Sequence, residues 1–177
     1  ADTRYNTLYR VHAGDCLEFA KSLHDSDNTD DLCVLNLASY RNPGGGVTGG
    51  AGAQEEYLFR CSDYFRSLYQ YGADSAQYGI PHATDSYPLD RNFGGVYSHG
   101  VTIFRDKEAN GYALLDTPWH VNFVAAAVSR LPYPCQQIPA NDIPMIENTI
   151  RTILRIAYTN GQRRLVLGAI GCGAFNH

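Results

Sequence analysis

Two adjacent carboxylates, Glu55 and Glu56, follow Gln54, which is separated by seven residues from three consecutive glycines, Gly44-Gly45-Gly46. Glycines after a proline, here Pro43, leave the backbone bare and free to take positive φ. Amide N–H groups of such a loop can approach an anion closely, and phosphate oxygens are the usual one. The pattern therefore suits a diphosphate held by loop amides while a glutamate does acid–base work beside it. A plainer reading is open at this point. Acidic side chains at a helix start complement its dipole, by roughly 0.3–1 kcal/mol each.

The missing residues narrow the chemistry. A triphosphate-binding loop needs Lys and then Ser or Thr after its last glycine, and neither follows here. A dinucleotide fingerprint puts its acid on the ribose about 20 residues later, after a second strand. Here the acids arrive with the helix itself.

The elements around the motif read as strand, glycine loop, helix. The run 32–38 is apolar at nearly every position, which predicts a strand buried on both faces. From Gln54 to about Tyr69, the spacing of Tyr57, Leu58, Cys61, Tyr64, Phe65 and Leu68 predicts a helix with one face on a core. A second unit of this kind lies near the end. Asp142 is expected to cap a helix carrying Ile143, Ile146, Ile150, Ile153, Leu154 and Ala157 on one face, with Gly161 as its stop. A strand, 164–167, then leads into a second glycine loop: Gly168, Ala169, Ile170, Gly171, Cys172, Gly173, Ala174, Phe175. Two glycine loops, each directly after an apolar strand, can line one crevice at the carboxyl edge of a sheet.

The remaining chain fills in an α/β pattern. Residues 8–12 alternate as a half-buried strand would. Gly14-Asp15 opens a helix with Leu17, Phe19, Ala20 and Leu23 on its apolar stripe. Asp15 is either the N-cap of that helix or a hydrogen-bond acceptor for a ligand amine. Residues 70–95, rich in Tyr, Gly, Pro and Asp, predict a long irregular excursion. Short strands are expected at 95–98, 101–104 and 112–116, with a further apolar run at 121–127. Strands alternating with helices argue for an α/β sandwich with a largely buried sheet.

Composition bounds the partners. The chain has 177 residues, enough for one domain with a real core, and a formal net charge of −4. That balance excludes a broad basic face for nucleic acid, so contact with an anionic substrate must be local. The five cysteines, Cys16, Cys33, Cys61, Cys135 and Cys172, are scattered without CxxC spacing. The histidines form no HxxxH or HExxH. Neither a metal nor another cofactor is expected, and a reducing cytoplasmic or nuclear setting is. Without an apolar run of 18 residues, no membrane partner is expected either.

Gly44-Gly45-Gly46, seven residues, then Gln54-Glu55-Glu56 resembles the signature of the poly(ADP-ribose) glycohydrolases, and the bacterial branch is the closer likeness. Leu35-Asn36-Leu37-Ala38-Ser39, Arg105-Asp106, Pro118-Trp119 and the stretch from Leu165 to Phe175 resemble it too. The resemblance implies a macrodomain-like fold, a three-layer α/β/α sandwich with a mixed central sheet. It implies a single catalytic domain over residues 1–177, truncated at its C-terminus. It implies hydrolysis of ribose–ribose O-glycosidic bonds, releasing ADP-ribose from poly(ADP-ribose) or ADP-ribosylated targets. A monomer is expected. By the same resemblance Glu56 is the general acid/base and Glu55 bonds the ribose hydroxyls. Gly44, Gly45, Gly46 and Val47, with Gly171, Cys172, Gly173 and Ala174, form the diphosphate clamps. Gln54 is a further substrate-binding position, Phe175 orients the terminal ribose, and Asp15 binds the adenine amino group. Two alternatives use the same site: an ADP-ribosyl hydrolase for mono-ADP-ribosylated protein or nucleobase, and a non-catalytic ADP-ribose reader.

Overall fold

The computed structural model describes residues 6–27, 30–84, 87–127 and 138–171. Four strands form one mixed sheet in the order β2-β3-β1-β4. These are β1 (Leu32–Leu37), β2 (Gly95–Arg105), β3 (Leu114–Ala126) and β4 (Arg164–Val166). β1 runs parallel to both β3 and β4, while β2 pairs antiparallel with β3. Helices α1 (Cys16–Ser26), α2 (Gln54–Cys61) and α3 (Phe65–Leu68) pack on one face of the sheet, and α4 (Ile143–Thr159) packs on the other. This is the expected three-layer α/β arrangement.

β1 is central because both its faces are apolar. Leu32 and Val34 enter the core under α1 and α2, while Cys33 and Leu35 enter the core under α4. Alternation of side chains across a strand sends neighbours to opposite faces, so only a continuous apolar run satisfies both layers. Tyr64, Phe123, Leu58 and Leu68 are fully buried in the first core. Each such side chain contributes about 1.5–3 kcal/mol.

The helix expected from Gln54 to Tyr69 is broken. Ser62 adopts an extended backbone and bridges to Ile103, and Asp63 Oδ1 accepts from the Thr102 amide at 2.8 Å. β2 lies at the sheet edge, with unpaired backbone groups that a neighbouring segment can satisfy. The chain leaves the helix to do so, then resumes as α3.

The separate short strands expected at 95–98 and 101–104 are one strand, bulged between Ser98 and Val101. Gly100 takes φ +63° there and donates to Asn122 Oδ1 at 2.9 Å. Residues 114–126 are likewise one strand, running through Pro118. β1 pairs with β3 only from Asn122 onward, so Pro118 sits where β3 has a neighbour on one side alone. The strand expected at 8–12 is absent: these residues carry no regular structure, and Leu8, Tyr9 and Val11 are exposed. Asp142 stands at the N-cap of α4, yet its side chain caps nothing; its backbone is already helical. Ile153 and Ala157 of α4 are buried, whereas Ile143, Ile150 and Leu154 are exposed, so that face is only partly covered.

Candidate active site

Strand β1 delivers the chain to the carboxyl edge of the sheet, and residues 39–53 fold back over the start of α2. The two glutamates lie under that loop. Glu55 is 3% exposed. Its Oε1 accepts from Gly44 N at 3.0 Å and Asn36 Nδ2 at 3.3 Å, and its Oε2 accepts from Ser39 N at 2.7 Å. Glu56 is 6% exposed. Its Oε1 accepts from Gly46 N at 2.8 Å, and its Oε2 accepts from Ala53 N at 3.0 Å, the latter one half of a capping box.

The glycines are required by this contact. Gly45 takes φ +58°, and a Cβ there would lie 2.3 Å from Glu56 Oε1 and 3.0 Å from Glu55 Oε2. A Cβ on Gly44, at φ +77°, would meet the Phe59 ring at 2.6 Å. The four amides expected to face a diphosphate donate inward instead. Gly44 and Gly46 serve the glutamates, Gly45 N donates to Asn42 O at 3.1 Å, and Val47 N donates to Gly44 O at 3.2 Å. The reason is proximity: the loop crosses the helix start, and the nearest anions are the two carboxylates.

Burial pushes the Glu55 carboxyl up to about 7, against the Ser39 amide, the Asn36 amide group and the Gly44 amide, which pull it down. Glu55 is the ribose-binding candidate. Around it are groups that sequence reasoning passed over. Asn36 Nδ2 also reaches the Tyr64 hydroxyl at 3.5 Å. Asn36 Oδ1 and Tyr87 Oη are buried with no hydrogen-bond partner among the described residues. Asn36 had a signal, being the one polar residue inside an apolar strand. Tyr87 had none, lying in the irregular excursion.

Gln54 is turned toward β1. Its Oε1 accepts from Leu37 N at 2.8 Å, and its Nε2 donates to Leu35 O at 2.7 Å. Those backbone groups face the side of β1 on which β4 ends at Val166. The side-chain amide therefore stands in for a strand partner at the carboxyl end of β1. Asp15 caps α1: its Oδ1 accepts from Leu17 N at 2.8 Å, Glu18 N at 3.0 Å and the Tyr57 hydroxyl at 2.9 Å. Gln54 Nε2 lies 3.7 Å from Cys16 Sγ, which places the head of α1 beside the same end of β1.

β1 and β4 are parallel neighbours, so both glycine loops leave the same edge side by side. In the second loop, the amides of Gly168, Ala169 and Gly171 have no partner among the described residues. Cys172, Gly173, Ala174 and Phe175 lie outside the described residues. Among the described residues no cluster of His, Cys, Asp and Glu could hold a metal. A separate groove of about 380 Å³ runs between α1 and the β2–β3 hairpin, past Leu17, Tyr57 and Trp119. Of its charged side chains, Lys21 pairs with Asp25 and Lys107 with Glu18, while Arg105 donates to Tyr112 O and Asp106 accepts from Lys107 N and Asn110 Nδ2.

The arrangement can hold an anion on the second loop and present buried carboxyl groups beside it. The family described as microbial-type PARG, catalytic domain, matches residues 1–106. Solved structures of poly(ADP-ribose) glycohydrolase (PARG) are similar to the chain. That from Thermomonospora curvata is 31% identical, with 92% of this chain and 56% of that chain covered and a TM-score of 0.69. The same enzyme bound to the inhibitor ADP-HPD gives 31%, 92%, 58% and 0.70. The enzyme from Deinococcus radiodurans in complex with ADP-ribose gives 30%, 95%, 64% and 0.69. The chain thus spans less than two thirds of the length of these structures. No curated protein sequence matches it.

Proposed function

The chain belongs to the microbial-type poly(ADP-ribose) glycohydrolase family, and from that premise we propose that it hydrolyses the ribose–ribose O-glycosidic bond and releases ADP-ribose. The observation that carries this reading is the contact of Gly45 with both carboxylates, which makes the glycine loop and the acid pair one unit. The diphosphate of the terminal unit rests on the second loop, where the amides of Gly168, Ala169 and Gly171 have no partner among the described residues, with the adenine toward Asp15. Phe175, further along the sequence, is assigned to orient the distal ribose by the family resemblance alone.

Glu56 protonates the leaving ribose oxygen and then takes a proton from the attacking water as the oxocarbenium-like sugar collapses. The amides of Gly46 and Ala53 fix the plane of its carboxyl group, so its proton transfer has a set direction. Glu55 bonds the ribose hydroxyls at the cost of one of its three internal donors. Successive helix residues point about 100° apart, so the two glutamates take different roles and need not flank one bond.

The test is release of ADP-ribose from labelled, automodified poly(ADP-ribose), with a mono-ADP-ribosylated protein as second substrate. Wild-type protein is expected to release ADP-ribose from the polymer. Glu56→Gln is expected to lose at least about 100-fold in rate while binding ADP-ribose within about twofold of wild type. Full activity of that variant would remove Glu56 from the reaction. Release from the mono-modified protein alone would assign the alternative hydrolase, and binding without release would assign a reader.

A further inference from the structure

Tyr40 follows Ser39, whose amide binds Glu55, and it gathers two arginines on the rim of the site. Arg41 Nε and Arg91 Nη2 each donate to the Tyr40 hydroxyl at 2.8 Å. The Arg91 guanidinium also lies over the Tyr40 ring at 4.4 Å, and that of Arg41 at 5.2 Å. The two residues come from segments fifty positions apart, so the meeting is tertiary. It is also anchored. Leu89 N donates to Tyr40 O at 2.7 Å, and Asp90 Oδ1 accepts from Asn92 N and Phe93 N, fixing the turn that carries Arg91.

Both arginines are exposed, and among the described residues neither is paired with a carboxylate. Two guanidiniums sharing one hydroxyl repel each other, and in a chain of net charge −4 nothing general requires a local concentration of positive charge. The arginine hydrogen bond and the nearby positive charges lower the Tyr40 phenol from its ordinary value. An anion with two adjacent phosphates would relieve the repulsion and meet both forks.

The position selects which anion. Asp15 and Gln54 stand on the β4 side of β1. The Tyr40 cluster stands on the side of β2 and β3, because residues 87–94 lead directly into Gly95, opposite Ala126. The acid pair lies between. We infer that Arg41 and Arg91, held together by Tyr40, form a second anion subsite that takes the diphosphate of the ADP-ribose unit on the leaving side of the scissile bond. This rests on the glycohydrolase reading for the direction of the polymer. Phe93, 62% exposed on the same turn, offers a ring on which the adenine of that unit can stack.

The experiment compares binding of free ADP-ribose with binding of an oligomer of two or three ADP-ribose units, using the Glu56→Gln protein so that the oligomer survives. Into this background go Arg41→Gln, Arg91→Gln, both together, and Arg91→Lys, with thermal unfolding as a check on folding. The double variant is expected to bind the oligomer at least about tenfold more weakly and monomeric ADP-ribose within twofold. The salt dependence of oligomer binding should become shallower by about one unit of slope, and Arg91→Lys should recover part of the loss. Equal affinities for the oligomer with and without the arginines would overturn the subsite, and so would a parallel loss for monomer and oligomer. Should wild-type protein release no ADP-ribose while oligomer and monomer affinities still diverge, the glycohydrolase reading fails and the subsite stands.

Discussion

At the scale of single residues, Gly45 and Glu55 carry the sharpest constraints. Gly45→Ala forces a Cβ onto Glu56 Oε1 and puts alanine at φ +58°. Strain of this kind costs about 1–3 kcal/mol, and the carboxylate must move as well. The expected result is a melting temperature lower by several degrees and loss of ADP-ribose release. Differential scanning calorimetry with the polymer assay checks both, and an active, equally stable variant would show that the loop tolerates a side chain. Glu55 gives stability a pH dependence. Its carboxyl ionises at about 7 when folded against an ordinary 4.5, so its contribution is fully present below 4.5 and is lost as pH rises through 7. The loss amounts to at most about 3 kcal/mol. Urea unfolding at pH 5 and pH 8 should show wild type losing more stability over that interval than Glu55→Gln, whose side chain does not titrate.

At the scale of elements, the carboxyl end of β1 runs on past the end of β4. Gln54 satisfies Leu37 N and Leu35 O where β4 has ended. Gln54→Ala leaves both backbone groups without their partner, at about 1–3 kcal/mol for each that stays buried. The Leu37 amide should then exchange with solvent much faster while amides deep in β3 stay protected. Weaker ADP-ribose binding should accompany it, as the carboxyl end of β1 frays. Hydrogen exchange read by NMR separates this local opening from global unfolding. The break at Ser62 is a second decision taken between elements. A helix-forming stretch gives up its continuity so that Asp63 can cover the edge of β2.

At the scale of the whole molecule, the two cores on either side of the sheet each hold a thiol. Cys33 faces α4 and Cys61 faces α2's side of the sheet, and burial pushes both up to about 12. Neutral, buried thiols react only when the structure opens. Alkylation at pH 8 should therefore proceed at one common rate for Cys33 and Cys61, rising with urea in step with global unfolding. Peptide mapping by mass spectrometry reads the two sites separately. Rapid labelling of one thiol in native buffer would show that its layer opens independently of the other.

The legible parts of this protein were those fixed by local rules. An unbroken apolar run announces a doubly buried strand, and the helical stripe through Leu58 and Leu68 announces a core face. Bare glycines before an acid pair announce a close backbone approach. All of these depend on residue type and short spacing, which a sequence displays. The sequence alone determined the α/β pattern, the position of both glycine loops after strands, and the glutamates as candidate chemistry. Tertiary structure decided where the hydrogen bonds go. It turned the first loop's amides onto the glutamates, set Gln54 as a surrogate strand, fused the short strands through the Gly100 bulge, and brought Arg91 to Tyr40 across fifty residues. Those outcomes follow from unsatisfied backbone groups and charges finding partners far along the chain, and no local pattern encodes which partner will be nearest once the sheet has closed.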